Sequence, residues 1–297
     1  MRVAITGSSG LMGTALRKRL AADGHEIRRI VRHRPQGPAE IGWDPEAHKF
    51  DPTALDGVDA VVHLAGVGIG DHRWTAERKK LIRDSRVDGT TTISTAFTAI
   101  ADPPKVLISA SAVGWYGDTG DRQVDETAPP GRGFLAELCE TWEAATEPAR
   151  AAGARVVTIR SGLVLAPNGG IMSRLKPLFS FGLGGKIGSG KQYWPWISLA
   201  DQIDAICFLL DHDVAGPVNM TGPVPVTNAE FTRVLGSIVH RPALIPVPPF
   251  ALRAAIGEFA DEGVLIGQRA VPAALSKAGF THTHSTLEQA LRWATSG

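Results

Sequence analysis

Cysteine is scarce in this chain, which has only Cys139 and Cys207 among its 297 residues. Two cysteines so far apart form neither a Cys-x-x-Cys pair nor the dense pattern of a disulfide-rich secreted domain. The histidine pair at His282 and His284 lacks neighbouring cysteine or carboxylate ligands. We therefore expect no metal site and no disulfide framework.

Long apolar runs and a charge excess are also missing. No run reaches the ~18 residues that a membrane-spanning helix needs, and 31 basic side chains face 30 acidic ones. The net charge of +1 gives no sign of a nucleic-acid or membrane surface. The chain begins on a predicted strand instead of a signal peptide. We therefore expect a cytoplasmic protein that acts on a small-molecule substrate, with no nucleic acid and no membrane as partner.

A glycine-rich turn between a strand and a helix is the most informative feature that is present. Residues 2–6 read as a short buried strand, Gly7–Gly13 follows, and Leu16 and Leu20 continue an amphipathic helix. Free backbone N–H groups and the positive end of a helix dipole meet at such a turn, which favours a diphosphate. Glycine permits the turn and the close approach of the ligand. The residues predicted to contact a dinucleotide here are Gly7, Ser8, Gly10, Leu11, Met12 and Gly13.

The second predicted strand, within residues 25–32, ends in arginines and not in an acid. Between Glu26 and Glu40 the chain has four arginines and no carboxylate. A site for NAD usually places an acid here to bind the ribose, whereas an arginine accommodates the extra phosphate of NADP. The sequence therefore predicts NADP(H) in preference to NAD(H), with Arg32 as the main contact. A solvated basic turn is the alternative interpretation.

Two later strands end in small or hydroxyl-bearing residues. The buried strand that begins at Asp59 ends in Leu64, Ala65 and Gly66, over which a flat cofactor can lie. The strand at residues 106–109 ends in Ser109 and continues to Ser111 and Tyr116. Hydroxyls beside the expected nicotinamide can polarise an oxygen of a substrate. Serine at the end of a strand is also a common turn residue.

Strand–helix alternation predicts an α/β fold, a Rossmann-type doubly wound parallel sheet with right-handed crossovers. Helices are expected at residues 74–100 and 133–152 of this part. Beyond Leu165, glycine and proline become frequent and the alternation breaks down. The sequence predicts an NADP(H)-binding domain at 1–165, which also receives the helix near 201–212. A smaller C-terminal module on the substrate side is predicted at 166–297.

Four sequence patterns resemble those of the extended short-chain dehydrogenase/reductase superfamily. They are residues 6–13 with their three glycines, His63–Gly66, Ser109-x-Ser111 with Tyr116-Gly117, and Arg160 on the sixth strand. Residues 196–201, 216–223 and 267–272 resemble the atypical "epimerase family protein" branch, which has its own C-terminal module. The resemblance implies cofactor contacts from Ser109 and Arg160. It also implies a homodimer formed through the helices at residues 84–100 and 134–152.

The chain departs from the superfamily at the positions of its acid–base pair. Related enzymes use a serine together with Tyr-x-x-x-Lys on the following helix. Alignment by the start of this helix places Phe134 and Leu138 at those positions, and alignment by Glu143 places Leu135 and Cys139 there. No tyrosine or lysine results from either alignment. Because a hydrocarbon cannot transfer a proton, the usual pair is absent.

Two functional hypotheses follow from these patterns. In the first, the protein is an NADP(H)-dependent oxidoreductase or a nucleotide-sugar epimerase/dehydratase-like enzyme of unknown substrate. Ser111 then binds the reacting oxygen and Tyr116 replaces the missing acid, in a cleft that Trp194 and Trp196 line. In the second, the protein is a non-catalytic NADP(H)-binding regulatory or partner-binding protein, because the acid–base pair is lost. The first is favoured because the substrate-side module is retained.

Overall fold

A large parallel sheet forms the centre of the molecule in the computed structural model, which describes residues 1–296. The strands are β1 (Arg2–Thr6), β2 (Glu26–Val31), β3 (Glu40–Asp44), β4 (Lys49–Phe50), β5 (Ala60–His63), β6 (Val106–Ala112), β7 (Gln123–Val124), β8 (Arg155–Ser161), β9 (Leu163–Ala166), β10 (Gly169–Gly170), β11 (Tyr193–Trp194), β12 (Trp196–Ser198), β13 (Gly216–Met220), β14 (Val226–Thr227) and β15 (Arg269–Ala270). The large sheet has the order β13-β8-β6-β5-β1-β2-β3-β4, and only β3 and β4 pair antiparallel. The predicted Rossmann-type α/β architecture is confirmed.

Helices cover both faces of this sheet and build most of the C-terminal part. They are α1 (Leu11–Ala22), α2 (Ala76–Thr98), α3 (Phe134–Ala144), α4 (Glu147–Ala151), α5 (Met172–Ser180), α6 (Leu199–Asp211), α7 (Asn228–Ile238), α8 (Pro249–Ile256), α9 (Phe259–Gly263), α10 (Ala273–Lys277) and α11 (Leu287–Thr295). None of those within residues 1–296 has the length and apolar character needed to cross a membrane.

The single helix predicted at residues 133–152 is two helices in the structure. α3 ends at Ala144, and α4 begins at Glu147 with Pro148 in its first turn. Proline has no N–H to donate and its ring clashes with the preceding turn, so one continuous helix cannot pass through this position. The helix predicted at residues 74–100 is α2, and the Thr75 side chain caps its start by accepting a hydrogen bond from Arg78 N at 3.1 Å.

Alternating residues of the parallel strands build one core on each side of the sheet. Val3 and Ile5 of β1 face the side that α1 and α6 cover, together with residues of α6 such as Ile206. Ala4 faces the opposite side, where Ile93 and Phe97 of α2 pack. A buried hydrocarbon layer on both faces explains why the strands read as continuous apolar runs.

The sheet contains one strand that the sequence analysis placed in the C-terminal module. β13 pairs in parallel with β8, so that Val218 lies opposite Ile159. Gly216 and Pro217 weaken the strand pattern in the sequence. Proline is tolerated here because β13 is the last strand in the sheet order and has a free edge. The large sheet therefore extends past the predicted boundary at residue 165.

The C-terminal module has its own core, which includes both tryptophans predicted to line the cleft. Trp196 is only 1% exposed, and its indole N–H donates to Val224 O at 3.2 Å. Trp194 is 8% exposed and packs edge-on against Phe231. The prediction that these rings line a substrate cleft is wrong, because α5, α7 and α11 enclose them.

Candidate functional site

The glycine-rich turn joins β1 to α1 with almost no space for side chains. Gly7 has a φ of +62°, and a Cβ there would lie 2.7 Å from the carbonyl carbon of Leu64. A Cβ on Gly13 would lie 2.2 Å from the carbonyl oxygen of Gly7. α1 begins at Leu11 without a side-chain cap and without an acid in its first turn. Its first backbone N–H groups are therefore available to an anion.

Thr6 and His63 hold the ends of β1 and β5 together beneath the turn. Thr6 Oγ accepts hydrogen bonds from Leu64 N at 3.0 Å and Ala65 N at 3.2 Å, and lies 2.8 Å from His63 Nδ1. Because two N–H groups already donate to this hydroxyl, its own hydrogen goes to Nδ1. His63 then carries its proton on Nε2, which is buried without a partner among residues 1–296 and lies on the side of Trp43.

His63 is expected to make the fold sensitive to acid. Burial lowers its pKa from 6.5 to about 4. The unfolded chain binds this proton below about pH 6.5, so the free energy of unfolding should fall between pH 6.5 and 4, by up to about 3 kcal/mol. Denaturant titrations of the wild type and of His63→Asn at pH 7.5, 5.5 and 4.5 measure the difference. Parallel pH profiles for the two proteins would contradict the prediction.

A cavity of about 990 Å³ opens beside the turn, at the carboxyl ends of β1, β2 and β5. The predicted cofactor residues in its wall are Gly7, Ser8, Gly10, Arg32, Leu64, Ala65 and Gly66. Leu11, Met12, Gly13, Ser109 and Arg160 are not among its lining residues. Gly13 acts instead through its contact with the turn. Part of α2, from Lys80 to Asp88, forms the opposite wall.

Arg32 directly follows β2 and lines the cavity. Arg29 also lines the cavity, but its Nη1 lies 3.1 Å from Glu40 Oε1. Arg32 is exposed and forms no ion pair with a carboxylate of residues 1–296. The charge of Arg32 is thus available to a ligand, whereas that of Arg29 is balanced within the protein.

Ser111 belongs to a buried polar network at the end of β6. It is 4% exposed, and its Oγ donates to Glu143 Oε1 at 2.6 Å. Arg160 donates to both oxygens of Glu143, at 2.8 and 2.9 Å, and its guanidinium stacks on Trp115. Bidentate pairs of this kind are strong and fix both side chains. The guanidinium of Arg160 is held by Glu143 and its side chain is 2% exposed, so this geometry gives no support to the predicted cofactor contact, which stays a prediction.

Tyr116 lies in the same network, away from the cavity. Its hydroxyl donates to Asn219 Oδ1 at 2.7 Å and accepts a hydrogen bond from Arg160 Nη1 at 3.1 Å. Burial raises the pKa of Tyr116 to about 12. The phenol therefore stays protonated near neutral pH, and its hydrogen is used within the protein. This geometry gives no support to Tyr116 as the replacement acid.

The positions of the missing acid–base pair hold packed side chains. Leu135 packs against Gly114, where an added Cβ would lie 3.3 Å from Leu135 Cβ. The Cys139 thiol lies 3.6 Å from the Ala112 carbonyl oxygen, and burial raises its pKa to about 12. Neither group can exchange a proton with a substrate near neutral pH.

Helices α8 and α9 connect the C-terminal module to the loop that follows β5. Lys79 Nζ lies 2.9 Å from Glu258 Oε1, and Arg73 donates to the Ala254 carbonyl at 2.7 Å. Phe259 packs against Trp74 with ring centres 5.3 Å apart. These contacts join residues 254–259 to the loop after β5 and to the start of α2.

The two C-terminal histidines serve the fold. His284 Nδ1 lies 2.9 Å from Ser198 Oγ and 3.3 Å from Asp201 Oδ2, and all three side chains are largely buried. His282 Nε2 bonds to the Thr221 carbonyl at 2.9 Å. Residues 1–296 contain no group of three His, Cys, Asp or Glu side chains placed to hold a metal ion.

The sequence predicts no site role for His63, Glu143 or Asn219, although His63 and Asn219 lie within the motifs at residues 63–66 and 216–223. His63 and Asn219 occur inside strands. A polar residue among apolar neighbours is the sequence signal that could have identified each of them as a site residue. Glu143 follows Trp142 on a helix whose apolar residues have core spacing. The sequence pattern does not predict that Glu143 is buried, because this depends on its pairing with Arg160.

Comparison with known proteins identifies relatives along the full chain. Residues 3–221 match the NAD dependent epimerase/dehydratase family, and residues 247–294 match DUF1731, a domain of unknown function. An epimerase family protein of Mycobacterium tuberculosis is 54% identical over 295 residues, which cover 99% of this chain and 97% of that protein.

Solved structures extend the similarity to three dimensions. The human epimerase family protein SDR39U1, solved with NADPH, superposes with a TM-score of 0.92 at 34% identity and covers 99% of both chains. A nucleoside-diphosphate sugar epimerase from Corynebacterium glutamicum superposes with a TM-score of 0.82 at 36% identity. The match covers 99% of this chain and 58% of that one.

Proposed function

Because this chain belongs to the NAD dependent epimerase/dehydratase family, we propose that it binds NADP(H) beside the glycine-rich turn and acts on a small molecule there. The observation that carries the proposal is Arg32, an exposed guanidinium in the cavity wall that forms no ion pair within residues 1–296. An arginine at the end of the second strand suits the 2′-phosphate of NADP. The NADPH present in the human SDR39U1 structure supports the same choice.

Replacing Arg32 with alanine is expected to weaken NADPH binding by about 10- to 100-fold, the usual loss of a charged hydrogen bond. NADH binding should stay within about twofold, because NADH lacks the 2′-phosphate that Arg32 would contact. Isothermal titration calorimetry with both cofactors measures the two changes. Arg34→Ala removes an exposed arginine two residues later and serves as the matched control. Equal weakening of NADPH and NADH would show that Arg32 does not select the phosphate.

For the reaction, Ser111 on β6 and Glu143 on α3 are the candidate polar pair, and neither of them lines the cavity. Ser111 donates its single hydrogen to Glu143, so its oxygen is left to accept hydrogen from a substrate hydroxyl. Bound NADP⁺ would supply the hydride acceptor, and in this oxidative direction the proton of the substrate hydroxyl would move to Ser111. The hydrogen of Ser111 moves at the same time to the Glu143 carboxylate. Ser111 and Glu143 would thus supply the acid–base catalysis that the tyrosine and lysine supply in related enzymes.

Assays with NADPH and NADP⁺ across ketones, aldehydes, alcohols and nucleotide sugars test this chemistry. We expect turnover of at least one class, and its loss in Ser111→Ala with NADPH affinity unchanged. Turnover that survives in Ser111→Ala would remove the serine from the reaction.

A non-catalytic NADP(H)-binding protein is the second candidate. The packed Leu135 and the buried, protonated Cys139 favour it, since both occupy a position of the lost acid–base pair. Absence of turnover across the panel, together with tight NADPH binding, would support this regulatory or partner-binding role. Steady turnover of any NADPH-coupled substrate would exclude it.

Cytoplasmic location and a homodimer stay predictions from the sequence. The helices expected to form the dimer are α2 and α3, which contact each other through Trp142 Nε1 and Thr90 Oγ at 2.9 Å. Sedimentation of the purified protein tests the dimer.

A further inference from the structure

Arg86 on α2 lies directly behind the cavity wall. Its guanidinium carbon is 5.1 Å from the centre of the Trp142 ring, and Nη1 donates to the Ile82 carbonyl at 3.1 Å. A Cβ added to Gly66 would lie 3.4 Å from the guanidinium carbon and 3.6 Å from Nη1. Gly66 is exposed and lines the cavity. Arg86 does not itself line the cavity, and the Gly66 backbone lies between its guanidinium and that space.

Arg86 has no acidic partner among residues 1–296, although it is half-buried. Burial, together with the charge of Arg78, lowers its pKa to about 10. Arg160 differs from Arg86 in having an acidic partner, because it is paired with Glu143 through two hydrogen bonds. A charge that is removed from water without a counter-charge destabilises the fold.

Arg78, near the start of α2, contacts the loop at residues 66–70, which also contains Gly66. Its Nη2 donates to the Gly68 carbonyl, and its Nε is buried without a partner among the described residues. Asp84 and Asp88 of α2 also line the cavity, and Asp84 is paired with Lys80. Two guanidinium groups thus lie beside the loop at residues 66–70, and neither forms an ion pair with a carboxylate of residues 1–296. The Asp71 carboxylate lies against Gly68 of this loop, and its Oδ1 is 3.9 Å from Arg174 Nη2.

We propose that Arg86 and Arg78 form an oxyanion site at the carboxyl end of β5, which takes a phosphate or diphosphate group of the ligand in the cavity. Guanidinium groups match the geometry of phosphate oxygens and lose less hydration than an ammonium does. The proposal deepens the proposed function and rests on ligand binding in this cavity. The oxyanion belongs either to the cofactor or to a nucleotide-sugar substrate, since the same chemistry recognises both.

Stability measurements separate a binding role from a structural one. Arg86→Met keeps the alkyl stem against Trp142 and removes the unpaired charge, so its denaturation midpoint should equal or exceed that of the wild type. Arg83→Met removes an exposed arginine of the same helix and is the matched control. Inorganic pyrophosphate should raise the melting temperature of the wild type and of Arg83→Met more than that of Arg86→Met.

Calorimetry then identifies the source of the oxyanion. If it belongs to the cofactor, NADPH should bind Arg86→Met about 10- to 100-fold more weakly than the control. If it belongs to the substrate, NADPH affinity stays unchanged. Uridine diphosphate then binds the NADPH-saturated wild type and control, but binds Arg86→Met at least about 10-fold more weakly.

The proposal is overturned if Arg86→Met is less stable than the control while its affinities for NADPH, pyrophosphate and uridine diphosphate are unchanged. That result would assign Arg86 to packing against Trp142. If the wild type binds pyrophosphate through Arg86 but does not bind NADPH, the proposed function is contradicted. The oxyanion site is still supported by that result.

Discussion

Replacing Arg160 with methionine is expected to lower the free energy of unfolding by about 3–5 kcal/mol, the usual cost of leaving a buried charge unpaired. Glu143 would keep its charge at 12% exposure and lose both guanidinium hydrogen bonds. Ser111 would then be the remaining donor of this network to its carboxylate. Chemical denaturation followed by tryptophan fluorescence and by circular dichroism measures the loss.

A double variant tests whether the charge or the shape is responsible. Arg160→Met combined with Glu143→Leu removes both charges and should recover at least about half of the lost stability, because apolar replacement of a buried pair is often neutral. If the double variant loses as much as the two single variants together, the pair itself is not the source of the effect.

Replacing Gly7 with alanine is expected to weaken NADPH binding by more than about 100-fold. The new Cβ would lie 2.7 Å from the Leu64 carbonyl carbon, so the turn must move away from β5. We expect the free energy of unfolding to fall by about 2–5 kcal/mol, from a left-handed backbone strain of about 1–2 kcal/mol and an overpacking of about 1–3 kcal/mol. Calorimetry and denaturant titration measure the two effects.

Gly24→Ala is the matched control for this substitution. Gly24 has a φ of +81°, similar to the +62° of Gly7, but an added Cβ meets nothing within 4 Å. It should therefore show the backbone strain alone, about 1–2 kcal/mol, with unchanged NADPH affinity. If Gly7→Ala behaves like Gly24→Ala in both measurements, the close approach of the turn to β5 is not needed for binding.

The parts of the fold that could be predicted are those with local signals. The apolar run at residues 2–6, the glycines after it and the amphipathic pattern of α1 each depend on residues close in sequence. Helix starts at Thr75 and Thr286 follow from the same kind of signal, because a threonine side chain caps the N–H groups just beyond it.

The parts that could not be predicted depend on pairs that are distant in sequence. The partner of Ser111 is Glu143, and the hydroxyl of Tyr116 bonds to Asn219. Nothing in the strand ending at Ser111 indicates which helix residue will face it. Arg160 was assigned to the cofactor by resemblance, whereas its burial beside Glu143 is a property of packing.

The late position of β13 has a consequence for how this protein is synthesised and how it can evolve. During translation, β8 emerges well before residues 216–220. Until β13 is synthesised, the outer edge of β8 is unpaired and the apolar surface beside it is uncovered. A nascent chain held at that stage is a natural client for a chaperone. A recombination event that exchanges the C-terminal part and leaves the sheet intact must place its junction after residue 221. The match to the epimerase/dehydratase family ends at the same residue.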